Sequence, residues 1–281
     1  MQAAQFQSRL SSLNNLYLLL ILAALVGLYS PVLIALAHDW STNDNYSHGF
    51  FIPLISGYMI FIMRAELKNI RIQPANWGLV LLLAGMAQLY IAKVGSEFFL
   101  QRTSLILALL GMALFLLGKA MTRRLLLPMG YLIFMVPLPA IIWNKIAFPM
   151  QLYSSAITEK VIQMVGIPVF REGNVLHLAQ TTLEVVDACS GLRSLMTMFA
   201  LSVALAWFSN YATWKKWALF FAAAPIAIFA NIVRLTGTAG LASMYGEKVA
   251  QGFLHEFSGL FTFVFGLMLL VLTNKLLQGK Q

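Results

Sequence analysis

The sequence predicts an all-α membrane protein that crosses the bilayer about eight times and carries one small β-like element. Three observations predict this class. Hydrophobic residues make up 60% of the chain and charged residues 10%, with a mean hydropathy of +0.79, whereas about a quarter of a soluble domain is charged. The apolar residues fall into separate runs, most of them close to the ~20 residues that a bilayer requires. Lys and Arg collect in alternate loops between these runs, as in multi-pass membrane proteins.

The apolar runs define the predicted spans. No linker or repeat separates them, so we expect one membrane domain over residues 1–281. The second run is short unless its helix begins in the preceding loop, and Pro137 and Pro139 end the fifth run. The first run is too long for the apolar region of a signal peptide, so it is a span. The predicted spans are Leu16–Ala37, Phe50–Met63, Trp77–Ile91, Ser104–Gly118, Leu125–Ile142, Leu195–Phe208, Trp217–Val233 and Leu260–Leu277.

The distribution of charge predicts that both termini are cytoplasmic. With the N-terminus inside, the cytoplasmic segments hold most of the Lys and Arg residues and a single acid, Glu66. Every other Asp and Glu falls on the opposite side, which is the charge bias expected of inner loops. The net charge of +9 does not indicate nucleic-acid binding, because no basic cluster is interleaved with aromatic residues.

The longest predicted outer segment runs from Trp143 to Asp187. Its first part, Ile146–Val165, is only moderately apolar, so it either lies in the interface as an amphipathic helix or dips back into the membrane. Its last part, Gly173–Asp187, partly alternates between apolar and polar residues and is rich in β-branched side chains. This pattern predicts a small β element outside the cytoplasm.

The single cysteine of the chain, Cys189, follows this β-like piece and precedes the sixth predicted span. It therefore lies near the N-terminus of a membrane helix, where the helix dipole and the nearby Arg193 favour a thiolate. A lone cysteine is also commonly a small, inert core residue. The flanking Ser-Gly, the arginine and the interfacial position make a nucleophile as plausible as a core residue.

Other polar residues are predicted at the same membrane face. Arg234 ends the seventh span, with Asn231 one turn earlier on the same face. The guanidinium of Arg234 either reaches the headgroups or holds an oxyanion or carboxylate. His255 is either a partly solvated interfacial residue or a general base and acid for the cysteine. His48 belongs to a polar turn before the second span, as a capping residue or a substrate contact. Asp187 caps the helix or orients the cysteine turn.

Neither a metal-ligand spacing nor a nucleotide-binding motif is visible, so we expect no metal and no cofactor. His38 and His177 are assigned to structure. The tryptophans near span ends fit an interfacial belt.

Four stretches together resemble the exosortase family: WSTNDNYSHGFFIPLI in the first outer loop, ACSGLRSL at the sixth span, NIVR at the end of the seventh, and HEFSG before the eighth. The resemblance implies a membrane transpeptidase or cysteine protease of the bacterial inner membrane, with its active site facing the periplasm. It implies Cys189, Arg234 and His255 as the family's cysteine, arginine and histidine. The implied partners are the C-terminal PEP-CTERM sorting signals of secreted proteins, the lipid bilayer and a glycan or lipid acceptor.

A different class of function remains open on the residues alone. The same polar residues would suit a non-catalytic component of exopolysaccharide synthesis or export, in which they line a conduit or bind a glycolipid. A transporter is less well supported, because the sequence shows neither paired broken helices nor an inverted repeat.

Overall fold

The predicted class is confirmed by the computed structural model, which describes residues 2–179, 182–185, 192–245 and 253–279. Helices dominate the described chain, and a small sheet interrupts them. Within these described ranges, six helices are long and apolar enough to cross a bilayer. These candidate spans are Leu19–Thr42, Asp44–Lys68, Trp77–Val94, Phe98–Leu117, Thr213–Ser243 and Ser258–Gln278.

The two other predicted spans take different forms. The fifth is part of a helix pair, Lys119–Met135 and Ala140–Met164, which is bent at the break between them and is either a broken span or a re-entrant segment. Pro137 and Pro139 lie in that break, as predicted. The sixth, Arg193–Phe208, is apolar but shorter than the other candidates. The described residues thus contain six candidate spans, or seven if the bent pair is one span, compared with about eight predicted.

The helices and strands are labelled in chain order. A 3-10 helix, Asp44–Phe50, which we call the first-loop helix, precedes α2, and a second one, Leu132–Met135, follows α5. The α-helices are α1 (Gln2–Thr42), α2 (Phe51–Lys68), α3 (Trp77–Val94), α4 (Phe98–Leu117), α5 (Lys119–Tyr131), α6 (Ala140–Met164), α7 (Leu192–Phe208), α8 (Thr213–Tyr245) and α9 (Phe253–Gln278), and the strands are β1 (Val169–Glu172), β2 (Val175–Leu178) and β3 (Thr182–Glu184).

The first of two compact units comprises Met1–Thr42 and Ala65–Met129. Its centre is the hairpin of α3 and α4, whose backbones approach closely. A Cβ atom at Gly78 or Gly111 would collide with the backbone of the opposite helix, so small residues set this spacing. Arg102 of α4 forms an ion pair with Asp39 of α1.

The second unit comprises Asn43–Arg64 and Gly130–Gln281. Helices α7, α8 and α9 pack against one another, and α6 packs against α8. The three strands form an antiparallel sheet in the order β1-β2-β3, which confirms the predicted β element. The element begins at Val169, four residues earlier than predicted. Gly173 makes the β1–β2 turn with a φ of +63°, a conformation that glycine adopts without strain.

The sheet is fixed to the helices by one apolar cluster. Leu176 and Val185 are almost fully buried, and they pack with Ile162 of α6 and with Leu235 and Ala239 of α8. The two α8 residues stand one and five positions after Arg234, so this cluster holds the sheet against the part of α8 that follows the arginine.

Candidate functional site

A pocket of about 460 Å³ lies within the second unit, where the first-loop helix meets α2, α7, α8 and α9. Three of its lining residues, His48, Arg193 and Arg234, were predicted from the sequence, and the structure brings them together. Its charged lining residues are Arg193, Arg234 and one acid, Asp44, so the lining has a net positive charge that suits an oxyanion or carboxylate. The lining residues are Asp44, Ser47, His48, Phe51, Arg193, Ser194, Thr197, Arg234, Gly259, Leu260 and Phe263.

The first-loop helix is held in place by short-range capping and by long-range contacts. Asn43 caps it by accepting a hydrogen bond from the backbone N–H of Asn45 at 3.0 Å, as Asn does at helix N-termini. The buried Tyr46 packs its ring on Trp143 of α6 at 5.4 Å. The Nε2 atom of His48 lies 3.2 Å from the backbone oxygen of Phe134. The predicted polar turn is therefore an ordered wall of the pocket.

Arg193 joins the first turn of α7 to this helix. Its Nη2 lies 3.2 Å from Oδ2 of Asp44, and its Nε donates to Oδ1 of Asn45 at 3.4 Å. The backbone oxygen of Arg193 accepts from the hydroxyl of Thr197 one turn later. The Arg193 side chain is thus held by the first-loop helix, which favours a role in positioning that helix over direct contact with a substrate.

Arg234 lies on α8 where this helix packs against α9. Its Nε donates to the hydroxyl of Ser258 at 3.1 Å, and a Cβ atom at Gly259 would lie 3.9 Å from its Nη2. Asn231, one turn earlier on α8, is fully buried. A Cβ atom at that distance would make only an ordinary contact, so the Arg234 guanidinium lies directly beside α9 at Gly259.

Three predicted site residues fall beyond what the structure describes. Cys189 and Asp187 lie outside the described residues. His255 belongs to the first turn of α9, but its side chain is not among those described. Within the described chain, no group of three His, Cys, Asp or Glu side chains is arranged to hold a metal ion.

Sequence reasoning missed Ser258 and the pairing of Arg193 with Asp44. Ser258 stands one turn after His255 in the HEFSG motif, which is the only hint that the sequence offers. The partners in the second case are separated by 149 residues, so only the fold reveals the contact.

Comparison with known proteins gives one match. A family model described as transmembrane exosortase matches residues 40–272, a range that includes every residue of the pocket. Neither a curated protein nor a solved structure matches the chain.

Proposed function

Because the chain belongs to the transmembrane exosortase family, we propose that it is a membrane cysteine protease or transpeptidase that cleaves C-terminal PEP-CTERM-type sorting signals. The observation that carries this proposal is the convergence of Arg193, Arg234 and His48 on one pocket at the beginning of α7. Helix α7 begins three residues after the single cysteine of the chain. The match crosses both compact units, which supports a single functional domain over residues 1–281.

Chain connectivity supports Cys189 as the nucleophile of this pocket. Cys189 precedes the first residue of α7 by three positions in the sequence, and Arg193 and Ser194 in the first turn of that helix line the pocket. A position just before a helix favours the thiolate, because the helix dipole is positive there. Asp187 precedes the same helix and would cap or orient this turn.

Arg234 would stabilise the oxyanion. Ser258 fixes the guanidinium through Nε, and the guanidinium lines the pocket. A preorganised donor of this kind stabilises the charge that develops on the carbonyl oxygen during attack. Asn231, which is fully buried one turn earlier on α8, would support the arginine.

His255 would transfer the proton. It precedes Ser258 by three residues in α9, and residues at this spacing are neighbours on a helix surface. Histidine suits this role because its ordinary pKa is near neutrality.

The reaction then proceeds in two steps. The Cys189 thiolate attacks the scissile carbonyl carbon, and Arg234 stabilises the resulting oxyanion. When the C–N bond breaks, His255 protonates the departing amine and a thioester remains on Cys189. A glycan, a lipid or water then attacks the thioester, gives its proton to His255 and restores the thiolate.

The compartment follows from the charge bias of the loops. The excess of Lys and Arg in alternate loops supports cytoplasmic termini and a periplasmic pocket in the inner membrane. A sorting signal would therefore be cut after export, with its apolar helix still in the bilayer. The linkage to exopolysaccharide-associated protein sorting is part of the same proposal.

The test is processing of a reporter that ends in a Pro-Glu-Pro-like motif, an apolar helix and a basic tail. Cys189→Ala and Cys189→Ser should both abolish cleavage at unchanged protein levels, because an ordinary serine hydroxyl is a poor nucleophile. Substitution of Ser190, the neighbouring hydroxyl residue, by Ala serves as the matched control and should leave cleavage measurable. Wild-type cleavage by Cys189→Ala would rule out the thioester and favour the alternative, a non-catalytic component of exopolysaccharide synthesis or export.

A further inference from the structure

A groove of about 410 Å³ lies between α2 and α7, in the same unit as the pocket. Apart from the hydroxyl of a tyrosine, its lining side chains are apolar. They come from one face of each helix, at spacings of three and four residues. The lining residues are Leu54, Ile55, Tyr58, Leu201, Ala204, Leu205 and Phe208.

The groove continues the pocket along the same two helices. On α2, Phe51 lines the pocket, and Leu54 and Tyr58 line the groove. On α7, Thr197 lines the pocket and Leu201 lines the groove one turn later. Residues at these spacings share a helix face, so the pocket that contains Arg193 and Arg234 continues into an apolar groove.

Helix α2 presents exposed side chains beside the groove. Whereas α7, α8 and α9 pack closely together, α2 has no comparable backbone contact with the described helices of its own unit. Leu54 is 69% exposed and Tyr58 is 55% exposed. The rings of Tyr58 and Phe208 meet at 5.9 Å, so the two helices touch there. The small Ala204 lies among larger lining residues, an arrangement that receives the side-chain ridge of a neighbouring helix.

We propose that the groove between α2 and α7 is the docking site for the apolar helix of the sorting signal. The inference rests on the proposed function and gives that substrate a location. A substrate helix seated there would direct the polar segment that precedes it into the pocket, towards Arg234. The substrate then binds at two adjacent places: its apolar helix lies in the groove, and its cleavage segment lies in the pocket.

Photocrosslinking in membranes tests the docking site. The full chain carrying Cys189→Ala is co-expressed with the sorting-signal reporter, and a photoreactive amino acid replaces Tyr58. The matched control carries the same amino acid at Met268 of α9, which is 57% exposed and lies outside the lining of the groove. We expect crosslinks to the apolar helix of the reporter from position 58, at least several-fold stronger than from position 268.

The outcomes separate the docking site from the chemistry. Crosslinks from position 58 to lipid only, or equal yields from positions 58 and 268, would overturn the docking site. Binding is measured in a variant that cannot form a thioester, so loss of the crosslink would not bear on the nucleophile. Conversely, persistent cleavage by Cys189→Ala would overturn the proposed function while a selective crosslink still supported the groove.

Discussion

Removal of the Ser258 hydroxyl should slow the reaction without unfolding the protein. In Ser258→Ala, the Nε of Arg234 loses the acceptor that lies at 3.1 Å. A hydrogen bond to a charged group contributes about 1.5–3 kcal/mol net, and each 1.4 kcal/mol corresponds to a factor of ten in rate. If this bond holds the guanidinium in its working orientation, turnover should fall by about 10- to 100-fold. Alanine has the higher helix propensity, so protein levels should not fall.

The assay is the rate of reporter cleavage by purified enzyme in liposomes, at saturating and at low substrate. Loss of an oriented oxyanion donor should appear mainly in kcat rather than in KM. Ser258→Thr keeps a hydroxyl and should retain most of the activity. Thr262→Ala is the matched control, because Thr262 lies one turn later on α9 and its hydroxyl donates to the backbone oxygen of Ser258. This control should cleave at close to the wild-type rate.

A double variant tests whether Ser258 acts through Arg234. Arg234→Lys alone should slow cleavage by about 100- to 1000-fold, since removal of one oxyanion donor typically has that effect and lysine lacks the planar fork. If Ser258 acts only through Arg234, Ser258→Ala should add little to the loss already caused by Arg234→Lys. Fully multiplicative losses would show that Ser258 acts independently and would refute the reasoning.

Three further predictions concern the pair, the topology and the thiolate. Asp44→Arg and Arg193→Asp should each slow cleavage, but because the pair is partly exposed each should change the free energy of unfolding by no more than about 1 kcal/mol. The double variant that reverses the pair should recover part of the cleavage rate, and a double variant as slow as the worse single variant would contradict the pairing. Reporter fusions at Arg124 and Gly173 should lie in opposite compartments, and a shared compartment would contradict the topology. His255→Ala should raise the apparent pKa for labelling of the proposed nucleophile by a membrane-impermeant thiol reagent, and an unchanged profile would exclude histidine as the activating base.

Much of the fold could be predicted because a membrane helix is recognisable from the composition of its own segment. A run such as Trp77–Ile91 needs only its own composition to be recognised, and the structure places α3 there. The proline pair Pro137 and Pro139 likewise marks a break that backbone chemistry requires. The form of the bent pair could not be predicted, because a broken span and a re-entrant segment have similar composition.

The site was predictable only in part. Arg193, Arg234 and His48 could be assigned to one face from loop charge alone, and the structure brings them into one pocket. The contacts that hold them depend on helix rotation and on long-range packing. No local pattern specifies that Arg193 reaches Asp44, or that Arg234 meets Ser258 on another helix, so both pairings had to come from the fold.

The length of α8 has a consequence for the environment of the proposed chemistry. At 1.5 Å per residue, its 33 residues extend for about 50 Å, and Arg234 lies about 32 Å from Thr213 at the same rise. The hydrocarbon core of a bilayer is about 30 Å thick. If Thr213 lies at one boundary, the guanidinium lies at the other, where lipid gives way to water. The rate of the proposed reaction then depends on bilayer thickness, because a thicker membrane would draw the arginine into hydrocarbon or force the helix to tilt less.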